Sequence, residues 1–214
     1  MVLLITPRTI ISVGKGVIKR RLDKRRDIDT TLSGVGRDNP YIYKARVGIL
    51  DIDYLGHMNN AMYLSHAELA RWEWTAYNGM LPEMRKISAH FLVKSCSVRY
   101  RQEIRPLFHP FQIDSFIAGL DDTHFWILQN FRDSSQDRAR AQVLIQGVAV
   151  KGRQILNPQA LLKEIGMNPD VVDSVSVNNI QDEFFQTAVD RYSSFVEAMR
   201  SDASIDDMKR ISSP

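Results

Sequence analysis

The residues best suited to chemistry lie close together, between residues 51 and 60. They supply two carboxylates, one imidazole and two side-chain amides: Asp51, Asp53, His57, Asn59 and Asn60. Asp, Gly and Asn are common in residues 51–59, which predicts a loop, and Asn59 or Asn60 suits the N-cap of a helix. That helix is predicted to run to about Asn78, with Gly79 at its C-terminal end.

The junction between this loop and the helix predicts where a thioester carbonyl could react. The first N–H groups of a helix lack intrahelical acceptors and lie at the positive end of its dipole, so they can stabilise an oxyanion. One such donor contributes about 2.7–4 kcal/mol in a transition state. A nearby carboxylate could attack the carbonyl or activate a water, because a thiolate leaves with little acid assistance. We predict that Asp53 has this role.

The same residue types also allow a structural interpretation. Asp, Gly and Asn populate the turns before helices, so the stretch could be only a loop and a cap. The imidazole of His57 could belong to the site or satisfy a nearby backbone group. Glu68 and Arg71, three residues apart on the helix, could be a second carboxylate with its orienting partner, but a structural ion pair is the favoured interpretation.

Metal and thiol chemistry receive little support. The five histidines show no close ligand spacing and the chain has one cysteine, so we predict no metal site and no cofactor. Cys96 lies in the inward phase of a predicted strand, which indicates a small buried side chain rather than a nucleophile. The sequence also lacks a Gly-x-Ser-x-Gly elbow and a nucleotide-binding glycine loop.

The composition is that of a globular protein: 214 residues, 44% apolar and 25% charged. No apolar run approaches the roughly 20 residues that span a bilayer. A single cysteine favours a reducing, intracellular compartment. The net charge of +3 is uneven, because residues 1–40 hold nine Lys or Arg and four Asp, a net of +5, which leaves −2 for the rest. A nearly neutral body argues against nucleic-acid binding.

Residues 1–40 are predicted to be a basic N-terminal arm and linker. Apolar residues between positions 10 and 18 could share one helical side, and two basic clusters and a Gly-rich, Pro-ended stretch follow. Three interpretations remain open. The arm could be a solvated or loosely packed extension, a mitochondrial presequence, or a membrane-surface helix with a polybasic tail that makes peripheral membrane contact.

Residues 41–152 have the pattern of a packed domain. β-formers over residues 41–50 predict the first strand, and alternation from Cys96 to Ile104 predicts another, with those two residues on the inward side. Residues 111–120, 124–132 and 138–150 continue the series across Asp-rich turns. A strand, a long apolar helix and then antiparallel strands is an α+β order, in which a curved sheet wraps around the helix.

Residues 153–214 are predicted to form a C-terminal helical extension. Asn157 and Pro158 suit the cap and first turn of one helix, and Gly166 suits its stop. Apolar residues at spacings of three and four predict an amphipathic helix over residues 180–200. Its apolar face is expected to pack on the domain or on another subunit.

The loop and the helix together resemble a known motif. Two carboxylates, a Gly-His pair and two amides are followed on the helix by a Tyr, a Glu and an Arg: Asp51, Asp53, Gly56, His57, Met58, Asn59, Asn60, Tyr63, Glu68 and Arg71. The pattern is similar to that of the hot-dog-fold acyl-CoA thioesterases, the 4-hydroxybenzoyl-CoA-thioesterase-like superfamily. Residues 53–61 and 120–122 resemble more closely its branch of thioesterase-superfamily-member-6-like proteins.

The resemblance implies a hot-dog fold over residues 41–152, dimerisation through sheet edges, and acyl-CoA bound at the subunit interface. It also implies that the second Asp of the motif, here Asp53, is the catalytic carboxylate, with His57 beside it. The residues predicted to bind substrate are those of the helix start and one helical carboxylate: Asn59, Asn60, Ala61, Met62, Tyr63 and Glu68. Arg99, Arg101 and Arg105 could meet coenzyme A phosphates, although a solvated strand face is favoured.

Hydrolysis of acyl-CoA or related thioesters by a homodimer or higher homo-oligomer is the leading functional prediction. Plant acyl-carrier-protein thioesterases have a similar Asp-x-Asn-x-His-Val-Asn-Asn stretch, in which Asp53 and His57 match but Leu55 stands in place of the Asn. This departure keeps a non-catalytic acyl-thioester or lipid-binding protein open as the alternative. The Asp-x-Asn-Pro-x-His signature of hot-dog hydratases is absent.

Overall fold

The computed structural model describes residues 2–104, 107–133 and 138–176, together with residues 187, 189–194 and 196. Its elements follow one another in chain order. They are α1 (Val2–Lys24), β1 (Tyr41–Arg46), a 3-10 helix (Ile49–Asp51), α2 (Asn60–Asn78), α3 (Met80–Lys86), β2 (Ala89–Tyr100), β3 (Pro110–Leu120), β4 (Phe125–Asp133), β5 (Ala139–Lys151), β6 (Gln154–Leu156), α4 (Pro158–Glu164) and α5 (Pro169–Ser174).

One antiparallel sheet curves around α2, which confirms the predicted α+β architecture. The strand order is β1-β3-β4-β5-β2, and β6 pairs with β5. The inward side of α2 buries residues at helical spacing, among them Tyr63, Ala67, Ala70, Trp74 and Tyr77. These side chains form one core cluster with inward residues of the sheet. Burial of this large apolar surface is the main term that holds helix and sheet together.

The predicted ends of α2 are confirmed. Asn59 is the N-cap, and its side-chain oxygen accepts a hydrogen bond of 2.9 Å from the Ala61 N–H. Gly79 closes the helix with φ of 92°, a left-handed conformation that favours glycine. The first strand is shorter than predicted, because the chain leaves the sheet after Arg46 and turns through the 3-10 helix.

The N-terminal helix α1 packs along α2 rather than extending into solvent. The two backbones approach closely at Gly16, where a Cβ would collide with the carbonyl oxygen of Glu73. Near the other end of α1, the Tyr77 hydroxyl donates a 2.8 Å hydrogen bond to Asp23. Over the described residues, no helix is both long and apolar enough to cross a membrane. The presequence and membrane-surface interpretations stay predictions.

Strand β2 forms one edge of the sheet, and its prediction needs two corrections. The strand ends at Tyr100, before the predicted inward residue Ile104, which is nevertheless buried. Cys96 is exposed rather than buried, because on its outer side β2 has no neighbouring strand among the described residues. The pairing with β5 is irregular at Lys94: Val93 pairs with Gly147 and the next pair is Ser95 with Gln146. This extra residue is a β-bulge.

The C-terminal segment begins as predicted. The side chain of Asn157 caps α4 through a 2.9 Å bond from the Ala160 N–H, and Pro158 occupies the first turn. Most of the amphipathic helix predicted over residues 180–200 lies outside the described residues. The part that is described is helical, with Val189 buried and the Tyr192 ring edge-on to Trp126.

Candidate active site

Asp53 lies in the loop that leads into α2, with its two carboxylate oxygens in different surroundings. Its Oδ1 accepts hydrogen bonds from the N–H groups of Leu55 at 2.9 Å and His57 at 3.4 Å. Its Oδ2 has no hydrogen-bond partner among the residues that the structure describes. The loop therefore fixes the carboxylate through one oxygen and leaves the other available to a ligand.

The first turn of α2 is held in place by its cap and by two tyrosines. The Tyr100 hydroxyl donates a 3.0 Å bond to the Asn60 carbonyl, and the Tyr63 hydroxyl accepts one of 3.3 Å from the Ile104 N–H. Burial raises the pKa of both phenols, which keeps them protonated at neutral pH. Within the described part of the chain, the Asn60 N–H donates to no protein group. One donor at the positive end of the helix is therefore free.

A pocket of about 450 Å³ lies between this loop, the helix start and the chain leaving β2. It brings together five of the predicted site residues: Asp53, His57, Asn59, Asn60 and Tyr63. Their assigned roles stay predictions. The His57 ring is half-buried and makes no hydrogen bond to a described residue. The pocket also includes Tyr100 and Arg101 of the β2 end, which no motif in the sequence connects with the loop.

Three predicted substrate-binding residues lie elsewhere. Ala61 is exposed and its N–H is taken by the Asn59 cap, while Met62 packs partly against the core. Glu68 lines a second cavity of about 220 Å³, farther along α2. It does not pair with Arg71 as predicted, because Arg71 Nη1 donates instead to Gln129 Oε1 at 2.7 Å.

The first Asp of the motif is buried in a charged cluster rather than facing the pocket. Asp51 Oδ2 accepts bonds of 2.9 Å from the Gly48 N–H and from His66 Nε2, and Oδ1 pairs with Arg8 at 3.2 Å. Burial alone would raise the pKa of Asp51, but His66, the Gly48 N–H and Arg8 outweigh it and lower the pKa to about 2. The Asp51 carbonyl also accepts from the Asn59 N–H. Asp51 therefore connects α1, α2 and the loop.

The remaining sequence candidates are widely separated. Arg99 and Arg101 are exposed, whereas Arg105 lies outside the described residues. Among the described side chains, no group of three or more His, Cys, Asp or Glu is arranged to hold a metal ion.

Comparison with known proteins identifies a family. The profile of the thioesterase-like superfamily matches residues 47–175, more than half of the chain. Among curated proteins, Protein THEM6 of Drosophila melanogaster is 33% identical over 112 residues, which cover 52% of this chain and 54% of that protein. Protein THEM6 of Danio rerio is 28% identical over 122 residues, or 57% of this chain and 58% of that protein. The chain thus spans little more than half the length of these relatives.

Solved structures agree on the fold. The probable thioesterase YbaW from Escherichia coli has a TM-score of 0.54 at 23% identity, covering 58% of this chain and 94% of that one. Slr0204, a 1,4-dihydroxy-2-naphthoyl-CoA thioesterase from Synechocystis, has a TM-score of 0.51 at 12% identity, covering 58% and 93%. SAV2348 from Staphylococcus aureus, solved in complex with CoA, has a TM-score of 0.50 at 15% identity, covering 59% and 81%.

These matches confirm the family and the hot-dog fold that the motif predicted. Since the profile covers more than half of the chain and the fold agrees, the protein belongs to the thioesterase-like superfamily.

Proposed function

We propose that this protein hydrolyses acyl-CoA or related acyl thioesters to the free acid and the thiol. The observation that carries the proposal is the position of Asp53, with one oxygen fixed by the loop and the other open beside the free N–H of Asn60. Family membership supports thioester chemistry in general. Arg101 at the pocket offers a guanidinium for coenzyme A phosphates, and a structural neighbour was solved with CoA bound.

Two routes use the same carboxylate. In the first, Asp53 takes a proton from water while the water oxygen attacks the carbonyl carbon. The resulting oxyanion accepts a hydrogen bond from the helix start, the C–S bond breaks, and the thiolate recovers the proton. In the second, the Asp53 oxygen attacks the carbonyl itself and expels the thiolate, and water then hydrolyses the mixed anhydride. Both routes consume one water and release one acid and one thiol.

The direct test is a thiol-release assay with the purified full chain over acyl-CoA thioesters from short to long chains. We expect release above the uncatalysed rate for at least one chain length. Absence of release at every chain length, from protein shown to be folded, would overturn the proposal.

A non-catalytic acyl-thioester-binding protein is the second candidate. It is favoured by Leu55, which occupies the position of an amide in similar thioesterases, and by the His57 ring, which no described residue orients through a hydrogen bond. Stoichiometric binding of an acyl-CoA that is recovered intact after long incubation would select this candidate over hydrolysis.

We also propose that the protein forms a homodimer through the exposed edge of β2. This edge presents Leu92, Val93 and Tyr100, whose exposed fractions are 51%, 46% and 44%. Exposed strand edges can pair with another chain. Antiparallel pairing of residues 95–100 with the same residues of a second copy would bring the Asp53 pocket of each subunit close to the second cavity of its partner, because the two cavities lie at opposite ends of β2.

Charge placed on this edge should separate the subunits. We expect the double variant Leu92→Glu, Cys96→Glu to be monomeric in light scattering, because like charges would face one another across the two-fold axis. The matched control is Ile42→Glu, an equally conservative change of an exposed residue on β1, the opposite edge strand. A monomeric control beside a dimeric double variant would refute the β2 interface.

Peripheral membrane contact through α1 is likewise a proposal. The outer side of α1 exposes Ile10, Ile11, Ile18 and Leu22, and a basic segment, residues 24–26, follows at its end. We expect the protein to cosediment with vesicles that contain phosphatidylserine and to be released by salt. The variant Ile11→Ser, Ile18→Ser should sediment less, and equal sedimentation of the two proteins would contradict the proposal.

A further inference from the structure

The second cavity has mostly apolar walls and one charged group deep within them. It lies between α2, α3 and strands β2 to β4, and its volume is about 220 Å³. The walls include Met80, Met84, Phe91, Phe125 and Ile127. Such walls suit an acyl group, and a few polar groups in a cavity of this kind usually fix the ligand and its orientation. Arg71 is the polar group at issue.

The guanidinium of Arg71 is held by a fixed neutral partner. Nη1 donates to Gln129 Oε1 at 2.7 Å. Gln129 is fully buried, and its Nε2 donates to the Ala67 carbonyl at 3.0 Å and to Ser115 Oγ at 2.9 Å. Because both donors of the Gln129 amide are used, its oxygen must face Arg71. The structure therefore positions this guanidinium before any ligand binds.

No anion compensates this cation. Across the described residues, no carboxylate forms a salt bridge with Arg71, and the nearby Glu68 accepts a 3.4 Å bond from Trp72 Nε1 instead. Burial lowers the pKa of Arg71 to about 10, against the opposing effect of Glu68, so the group stays protonated at neutral pH. A second guanidinium, that of Arg85, also lines the cavity. A half-buried cation that lacks its own anion costs free energy, which an anionic ligand would recover.

From this geometry we infer that the second cavity selects acyl groups that carry a carboxylate in addition to the thioester, and that Arg71 is the residue that recognises it. Guanidinium and carboxylate can form two parallel N–H···O bonds, and most of the Arg71 donors are unused by the protein. The apolar walls would enclose the methylene chain between the thioester and the carboxylate. The inference rests on the proposed hydrolysis and names its substrate class.

The test compares thioesters that differ only at the far end of the chain. Thiol release by the full chain is measured with three matched pairs: butanoyl-CoA and succinyl-CoA, hexanoyl-CoA and adipoyl-CoA, octanoyl-CoA and suberoyl-CoA. For the length that fits, we expect kcat/KM to favour the carboxylate-bearing member by about tenfold or more, the effect of one hydrogen bond to a charged group. Arg71→Met should bring the ratio close to one, and Arg71→Lys should retain part of it because its charge remains.

Arg153→Met is the matched control, since Arg153 is exposed in the turn between β5 and β6, and it should keep the wild-type ratio. The inference is overturned if the wild type prefers the plain acyl member of every pair, or if Arg71→Met keeps the wild-type ratio while folded. If no pair releases thiol, the proposed hydrolysis has failed, and the dissociation constants of the same pairs then decide the inference. Equal binding of both members would overturn it, and tighter binding of the carboxylate-bearing member would support it.

Discussion

Replacing Asp53 by asparagine is expected to slow thiol release by about 10²–10⁴-fold without unfolding the protein. The activity should fall because an amide neither accepts a proton from water nor attacks a thioester at a useful rate. The fold should persist because the Asn oxygen can still accept from the N–H groups of Leu55 and His57, as Oδ1 does now. Steady-state kinetics with the preferred acyl-CoA, together with a thermal unfolding curve, would measure both effects.

Asp122→Asn is the matched control for this change. Asp122 is an exposed aspartate in the turn between β3 and β4, remote in sequence from the motif, so its loss should leave kinetics and unfolding near those of the wild type. Turnover by Asp53→Asn within a few-fold of the wild type would show that this carboxylate is not the base or nucleophile. The second candidate function, binding without turnover, would not be supported by that result either.

Replacing Asp51 by asparagine should have the opposite profile, a loss of stability of about 3–5 kcal/mol. The change leaves the buried His66 and the half-buried Arg8 without their carboxylate, and it turns an amide N–H₂ toward groups that donate hydrogen bonds. It also weakens the attachment of α1 to the loop and to α2. Urea denaturation would measure the free energy of unfolding, and Asp53→Asn, two residues away, is the natural reference.

The pH dependence of stability gives an independent readout of the same carboxylate. The pKa of Asp51 is about 2 in the folded protein and 3.8 in its reference state, so the folded state binds fewer protons. Its contribution to stability is therefore complete above about pH 4 and is lost as the pH falls toward 2. Asp51→Asn should remove this part of the acid dependence. A variant as stable as Asp53→Asn, with an unchanged acid profile, would refute the structural role of Asp51.

Features set by neighbouring residues were predictable from the sequence. The N-cap Asn59 and the terminal Gly79 of α2 are recognisable because capping depends on one side chain and on one backbone conformation. Strands β3, β4 and β5 lie within one or two residues of their predicted bounds, since alternation and Asp-rich turns are local signals. The motif similarly led to the fold and to the loop that lines the pocket.

Contacts between distant residues could not be predicted in this way. Arg8 and His66 reach Asp51 across 43 and 15 positions, and nothing in a single sequence links them. Gly16 gave a weak signal, because a glycine inside a helix often marks close packing, but it does not name the neighbour. The exposure of Cys96 depends on the place of β2 at the sheet edge, which alternation cannot reveal.

The bulge at Lys94 limits how β2 can associate. A regular twelve-residue edge strand could pair with another chain in several registers and could seed open-ended growth. The extra residue, a lysine, interrupts that template and leaves a short regular stretch, residues 95–100, for pairing with a copy of itself. In the proposed dimer this would fix the register and close the assembly at two chains. A slip by one residue would turn the facing side chains over and move each pocket away from its counterpart.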